Sequence, residues 1–167
     1  MKRLILIGGP MGVGKTAVGR ELQKHLPKCA FLDGDWCWDI RPFVVNDETK
    51  AMVMENIHCL LNGFLRCAAI ENIVFCWVMH EQGIVDAVLA GLALEGVEVC
   101  TLSLIADEAA LAERIRGDVA RGVRQMDVLE RSLTYLPKYA AVDSVKVDTS
   151  ARSVSEAAEE IMQILKK

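Results

Sequence analysis

The stretch that decides the fold is Gly9-Pro10-Met11-Gly12-Val13-Gly14-Lys15-Thr16, which fits the pattern G-x-x-x-x-G-K-[ST]. The apolar run Leu4-Ile5-Leu6-Ile7 precedes it and predicts a buried parallel strand over about residues 3–8. Apolar residues then recur every four positions and predict a helix over about residues 14–26, which a proline ends. The order strand, loop, helix is the setting in which this pattern binds a phosphate.

The chemistry of this loop, the P-loop of NTPases, predicts the ligands. Its glycines allow the backbone to wrap around a phosphate, and the helix start behind it adds about half a positive charge. We expect Lys15 to reach the β- and γ-phosphates and the Thr16 hydroxyl to ligate Mg²⁺. ATP and Mg²⁺ are therefore the predicted cofactors. The predicted nucleotide contacts within the loop are Gly9, Met11, Gly12, Val13, Gly14, Lys15 and Thr16.

Length and composition exclude several classes of protein. The 167 residues fit a single domain spanning 1–167, and the net charge of −4 argues against a general nucleic-acid binder. No stretch approaches the ~20 apolar residues that cross a bilayer, so no membrane partner is expected. The six cysteines include no C-x-x-C pair and are expected to be reduced, as in a cytoplasmic protein. The oligomeric state cannot be predicted from these features.

Predicted strands and helices alternate along the rest of the chain. This alternation predicts an α/β fold of three layers, a five-stranded parallel sheet with helices on both faces. In such sheets ligands bind beyond the carboxyl ends of the strands. The remaining strands are expected at about 29–32, 73–78, 97–105 and 144–148. The remaining helices are expected at about 47–70, at 81–94, after an Asp107 cap, at 127–136, and after a capping box at 153–156.

Two carboxylates follow the second predicted strand, in the turn Asp33-Gly34-Asp35. A phosphotransferase needs Mg²⁺ ligation and a group that orients the attacking hydroxyl, and these two side chains can divide the tasks. We expect Asp33 to lie near Mg²⁺ and Asp35 to accept the proton of the acceptor hydroxyl. The alternative is a turn with two solvated carboxylates.

With the P-loop, this turn and a basic segment after strand four, the chain resembles the small-molecule kinases of the P-loop superfamily. That group includes shikimate, gluconate and adenylyl-sulfate kinases and chloramphenicol phosphotransferase. The chain is also similar to bacterial proteins described as AAA-family ATPases. The resemblance implies the strand order 2-3-1-4-5 and implies that Asp35 acts as the base. Two departures concern the acceptor. Met79-His80-Glu81-Gln82 stands in place of the Gly-Gly-Gly segment of shikimate kinases. Adenylate kinases have an arginine three residues after the aspartate, whereas Arg41 lies six residues after Asp35.

Four residues near these strand ends are candidates for contact with the phosphoryl acceptor, a small molecule. Trp36 and Trp38 are two of only nine aromatic residues, and they can form an apolar wall for a planar or ring-bearing acceptor. Arg41 can pair with an anionic group, and His80 stands where the third strand should end. Core tryptophans and a structural histidine remain the alternatives.

A basic segment between the fourth and fifth strands contains Arg114, Arg116, Arg121 and Arg124. We predict a lid over about 116–126, with Gly117 and Gly122 as hinges and Arg121 on the transferring phosphoryl group. Arg114 or Arg116 is expected to cover the adenine of the nucleotide. By the resemblance, Arg152 lies in a base-binding loop and stacks on adenine. The alternative is a solvated helix face.

Three functions remain open at this level. The first is an ATP-dependent phosphotransferase that moves the γ-phosphoryl group to a hydroxyl of a small metabolite. The second is a nucleoside or nucleotide kinase, and the third is a nucleotide-binding switch without a small acceptor. The sequence lacks the Asn-Lys-x-Asp motif of GTPases, and strand 73–78 ends without the acid of a motor-type ATPase. These absences favour the small kinase.

Overall fold

The computed structural model describes residues 1–166 and contains one five-stranded parallel sheet of order β2-β3-β1-β4-β5. The predicted α/β class and strand order are confirmed. The strands are β1 Lys2–Gly8, β2 Cys29–Asp33, β3 Asn72–Cys76, β4 Val97–Ile105 and β5 Val145–Asp148. The helices are α1 Lys15–His25, α2 Asp47–Arg66, α3 Gln82–Ala90, α4 Glu108–Ala120, α5 Asp127–Tyr135 and α6 Val154–Ile164, with 3-10 helices at Gly34–Trp38 and Leu136–Ala141.

The central strand β1 is buried on both faces because its alternating side chains enter two different cores. Ile5 and Ile7 pack with α1, α4 and α6 on one face of the sheet. Leu4 and Leu6 pack with α2, α3 and the 3-10 helix Leu136–Ala141 on the other. Side chains of a strand point alternately to opposite faces, so one apolar run serves both layers.

Two helices, α4 and α6, begin at the capping residues that the sequence predicts. The Asp107 carboxylate accepts a 2.7 Å hydrogen bond from the Ala110 N–H at the start of α4. Ser153 and Glu156 form the reciprocal capping box of α6, with each side chain bonded to the other's backbone N–H. These bonds satisfy N–H groups that have no partner within the helix.

The strand β3 ends two residues earlier than the sequence predicts, at Cys76 rather than 78. Its neighbours β1 and β2 pair with it no further than Cys76, and Met79 then adopts a left-handed conformation at φ 39°. The carbonyl of Val78 accepts hydrogen bonds from the Gly9 N–H, at 3.2 Å, and from the Tyr139 hydroxyl. The segment 77–79 is thereby bound to the phosphate loop.

Two helices are also shorter than predicted, since α2 ends at Arg66 and α3 at Ala90. All six cysteines are free thiols. In the part of the chain that the structure describes, no helix combines the length and the apolar character needed to span a bilayer.

Candidate functional site

The phosphate loop requires glycine where α4 packs against it. Gly12 has φ +81°, and a Cβ there would lie 2.5 Å from the Ile115 side chain of α4. Helix α1 begins after Gly14, which is left-handed and provides no side-chain cap. The first N–H groups of α1 therefore remain available to an anion, as in helix-start phosphate sites.

The Lys15 ammonium lies across the loop and donates to the carbonyls of Gly9, at 2.8 Å, and Pro10, at 2.9 Å. Burial lowers the pKa of Lys15 to about 8, although the charges of Asp35 and Asp33 act in the opposite direction. The positive charge of Lys15 is therefore poorly stabilised in the protein alone, and the negative charge of a bound phosphate would stabilise it.

Thr16 and Asp33 form the oxygen-rich end of the loop. The Thr16 hydroxyl donates a 2.6 Å hydrogen bond to Oδ2 of Asp33, whose side chain is buried. Within residues 1–166 no group of three acidic, histidine or cysteine side chains could hold a metal alone. Mg²⁺ at nucleotide sites needs only one or two protein oxygens, because phosphates and water complete its shell. These two side chains therefore fit Mg²⁺.

A cavity of about 750 Å³, here called the loop cavity, opens above these groups. The phosphate loop, the end of β2 and the C-terminal half of α4 surround it. Of the side chains expected to act on the nucleotide, it brings together Lys15, Thr16, Asp33, Asp35, Arg114 and Arg121. Gly12, Gly14 and Met11 also line it, whereas the Val13 side chain is buried in the core.

Asp118 holds two arginines of the basic segment at the rim of the loop cavity. Its carboxylate accepts from Arg121 at 2.7 Å and from Arg124 at 2.9 Å. The Arg121 side chain is 67% exposed and that of Arg124 is 33% exposed. The charge of Arg124 also lowers the pKa of Lys15. Arg124 therefore lies nearer the centre of the site.

Arg114 connects α4 to two loops. Its guanidinium donates to the Thr149 hydroxyl at 3.0 Å, to the Thr149 carbonyl, and to the Val13 carbonyl at 3.4 Å. Thr149 is itself buried directly after β5. Arg114 thus orders the wall of the loop cavity through its hydrogen bonds.

A second cavity of about 570 Å³, here called the apolar cavity, adjoins the first. Its walls come from the 3-10 helix after β2, the loop before α2, and from α2, α3 and α5. Met11, Asp35 and Val78 line both cavities. Apolar side chains dominate the rest of the wall, among them Trp38, Phe43, Met54, Trp77, Met79 and Ile84.

The Asp35 carboxylate stands where the two cavities meet. It is reached by solvent through the cleft, but the surrounding protein desolvates it enough to raise its pKa, and Asp33 raises that pKa further. Lys15, Arg124 and the Trp77 indole act in the opposite direction. Gly34 allows this close arrangement, because a Cβ there would lie 2.5 Å from the Trp77 ring.

The structure places the other predicted residues as follows. Trp38 and His80 line the apolar cavity. Trp36 lies outside both cavities, edge-on to Phe31 at 5.7 Å between ring centroids and beneath the Arg20 guanidinium.

Arg41 and Arg152 are also outside the lining of both cavities. Arg152 donates to the Asp148 carbonyl at 2.7 Å and pairs with Glu160 of α6. A contact between Arg152 and adenine would require it to leave this pair.

The sequence reasoning missed several residues of the apolar cavity. Tyr135 of α5 stacks on His80 with ring centroids 3.9 Å apart and planes 6° from parallel. Phe43 packs on Trp38 at 5.4 Å. The position of Trp77 was indicated by the sequence, because it follows directly after β3 at the edge where ligands bind, but its role in the cavity was not. Tyr135 gave no such signal, because its place depends on how α5 packs.

Residues 5–132 match the family model described as an AAA domain, and the chain belongs to this family of P-loop proteins. A comparison with curated proteins gives no match.

Solved structures share this fold over nearly the whole chain. The tunicamycin resistance protein of Deinococcus radiodurans is 22% identical, with 99% of this chain and 96% of that chain covered and a TM-score of 0.69. A gluconokinase from Sinorhizobium meliloti is 21% identical, with 97% and 90% covered and a TM-score of 0.70. Shikimate kinase from Acinetobacter baumannii, in complex with shikimate, is 20% identical, with 99% and 93% covered and a TM-score of 0.66. At these identities the likeness shows the fold.

Proposed function

We propose that the protein is an ATP-dependent phosphotransferase that moves the γ-phosphoryl group to a hydroxyl of a small molecule. One observation carries the proposal: the Asp35 carboxylate lies between a cavity suited to phosphates and a cavity suited to a small acceptor. The fold shared with a gluconokinase and a shikimate kinase supports the same reaction class.

In this proposal the phosphate loop and Lys15 bind the nucleotide's phosphates through backbone N–H groups and the ammonium. Thr16 and Asp33 hold Mg²⁺, which when bound offsets negative charge on the phosphoryl oxygens. Arg114 and Arg152 are the proposed contacts to the rest of the nucleotide. Arg114 and Arg152 already donate hydrogen bonds within the protein. To bind the nucleotide, each must exchange one of these hydrogen bonds for a bond to the nucleotide.

Asp35 is the proposed base. The acceptor hydroxyl gives its proton to the Asp35 carboxylate as its oxygen forms a bond to the γ-phosphorus. The bond between that phosphorus and the bridging oxygen breaks, and ADP carries away the electron pair. A raised pKa makes Asp35 a stronger base than an ordinary aspartate at neutral pH.

Arg121 and Arg124 supply positive charge to the transferring group in this scheme. They lie on the proposed lid at 116–126, at the end of α4 and in the turn before α5. The Asp118 carboxylate accepts hydrogen bonds from both arginines. Binding of a triphosphate offers them a more highly charged partner, which favours movement of this segment toward the loop cavity.

The test is ADP release and acceptor phosphorylation by wild type and by Asp35→Asn, with a panel of alcohols as acceptors. We expect Asp35→Asn to abolish transfer and leave ATP binding nearly intact. Asp39→Asn is the matched control, because Asp39 is exposed four residues away and lines neither cavity. Full transfer by Asp35→Asn would refute the base. Acceptor-independent ATP turnover in both proteins would favour the switch, and phosphorylation of nucleosides alone would favour a nucleoside kinase.

A further inference from the structure

We infer that the acceptor is an uncharged, largely apolar alcohol that carries a ring, and not a polyol, a sugar acid or a phosphorylated metabolite. This inference rests on the proposed phosphotransferase function and concerns the apolar cavity. Three properties of that cavity carry it: the apolar chemistry of its wall, the lack of a buried cation among the described residues that line it, and the small number of hydrogen-bonding groups.

The wall is built from large apolar side chains contributed by five separate segments. Trp38 and Phe43, whose ring centroids lie 5.4 Å apart, line it together with Met54, Trp77 and Ile84. Flat rings and flexible thioethers bury the surface of an apolar ligand well, and they offer few partners for hydroxyl groups. A ring in contact with this wall gains from burial, whereas a polyol would lose hydration there.

Among residues 1–166, two permanently charged cations line this cavity, Lys50 and Arg131, and each lies beside an aspartate of its own helix. Arg131 donates to Asp127 at 3.0 Å, and the mostly exposed Lys50 lies 3.9 Å from Asp47. His80 is stacked on Tyr135, and burial lowers its pKa, which favours the uncharged ring. A carboxylate or phosphate on the acceptor would enter this cavity without a buried cation to compensate it.

The hydrogen-bonding capacity of the wall is small. Among the described residues, two buried side-chain nitrogens have no hydrogen-bond partner, Nε1 of Trp38 and Nδ1 of His80. Both residues belong to the apolar cavity. Because these two nitrogens are buried, they are closed to a ligand in this structure, and the additional hydroxyls of a polyol would lack partners in the cavity.

The experiment compares three acceptors that share one diol: 3-phenoxypropane-1,2-diol, glycerol and glycerate. Binding of each is measured by tryptophan fluorescence with a nonhydrolysable ATP analogue present, and transfer is measured separately with ATP. We expect the phenoxy diol to bind on the order of 100-fold more tightly than glycerol, since a buried apolar group of this size gives discrimination of that order. We expect glycerate to bind most weakly.

Two variants distinguish the cavity from other binding surfaces. Val45→Lys adds a cation to the cavity lining, and Val44→Lys adds one to the neighbouring residue, which is outside it; both valines are exposed, which makes loss of folding a minor risk. We expect Val45→Lys to weaken binding of the phenoxy diol roughly tenfold and to strengthen that of glycerate. Val44→Lys should match the wild type.

The inference and the proposed function fail in different ways. The phenoxy diol could bind, with binding weakened by Val45→Lys, while no phosphoryl transfer to it is detected. That result would support the selectivity of the apolar cavity and contradict the phosphotransferase function. Transfer to glycerate or glycerol in preference to the phenoxy diol would support the phosphotransferase and overturn the inference. Absence of phenoxy diol binding up to its solubility limit would also overturn the inference.

Discussion

The Thr16 hydroxyl donates a 2.6 Å hydrogen bond to Oδ2 of Asp33, and so connects the start of α1 to the end of β2. Oδ1 of the same carboxylate accepts the Asp35 N–H at 3.1 Å. One buried carboxylate therefore orients both the hydroxyl beside the phosphate loop and the backbone that carries the proposed base.

Thr16→Val removes this hydroxyl while keeping the shape of the side chain. We expect kcat to fall roughly 100-fold and the Mg²⁺ requirement to rise, because Asp33 loses its partner and the proposed metal site loses an oxygen. The measurement is kcat as a function of MgCl₂ concentration. Thr16→Ser is the control and should stay close to wild type. An unchanged Mg²⁺ dependence in Thr16→Val would contradict the metal assignment.

Lys15 should give ATP affinity a pH dependence in the neutral to alkaline range. Its pKa is lowered to about 8, so the free protein loses the charge as pH rises through that value, and ATP affinity should fall. A bound triphosphate favours the charged form, so ATP binding near pH 8 should take up protons.

Calorimetry in buffers of different ionisation enthalpy measures this proton uptake. Lys15→Met should show weak affinity with a flat pH response over the same range. Flat affinity in the wild type from about pH 7 to 9 would show that the Lys15 charge is not coupled to the nucleotide.

The fold could be predicted from the sequence because its signals are local. The octapeptide, the apolar run of β1 and the caps at Asp107 and Ser153 each act within a few residues. Their order along the chain gave the parallel sheet, and the family resemblance gave its strand order. The meeting of Thr16 and Asp33 follows from the same topology, since Asp33 ends β2 and Thr16 lies at the start of α1, which follows β1 through the phosphate loop at the same edge of the sheet.

The apolar cavity could not be predicted in the same way. It brings Trp38 and Phe43 together with Met54, Ile84 and Tyr135, which lie on elements far apart in sequence. From the sequence pattern alone, each of these residues is predicted to be an ordinary core residue. Their convergence depends on where α2, α3 and α5 pack, which is a tertiary property.

Gly34→Ala should lower both stability and activity. The added Cβ would lie 2.5 Å from the Trp77 ring, so the ring or the turn that carries Asp35 must move. We expect the free energy of unfolding to fall by about 1 to 3 kcal/mol and transfer to be lost. Urea denaturation and kcat measure the two effects.

Gly63→Ala is the matched control for that substitution. A Cβ at Gly63, within α2, meets no atom within 4 Å. It should raise the free energy of unfolding by about 0.5 to 1 kcal/mol, because alanine favours the helix. If Gly34→Ala behaved in the same way, the close contact with Trp77 would not constrain the turn.

Arg124→Ala should reduce kcat on the order of 1000-fold if Arg124 stabilises the transferring phosphoryl group. It should also shift the pH–rate profile, because the charge of Arg124 lowers the pKa of both Lys15 and Asp35. Without it both pKa values rise, and the acidic limb set by Asp35 moves to higher pH.

Two further arginine variants complete this comparison. Arg121→Ala should lose rate without that shift of the acidic limb. Arg116→Ala is the control, since Arg116 is exposed and lines neither cavity. An equal loss in all three variants would indicate a general charge effect of the basic segment.

The most direct test of phosphoryl transfer across Asp35 is ³¹P NMR of ATP incubated with an apolar alcohol and either wild type or Asp35→Asn. We predict that the wild type produces ADP together with the resonance of a phosphate monoester, and that Asp35→Asn produces neither while still binding ATP. Formation of ADP and inorganic phosphate alone, at the same rate in both proteins, would contradict the account.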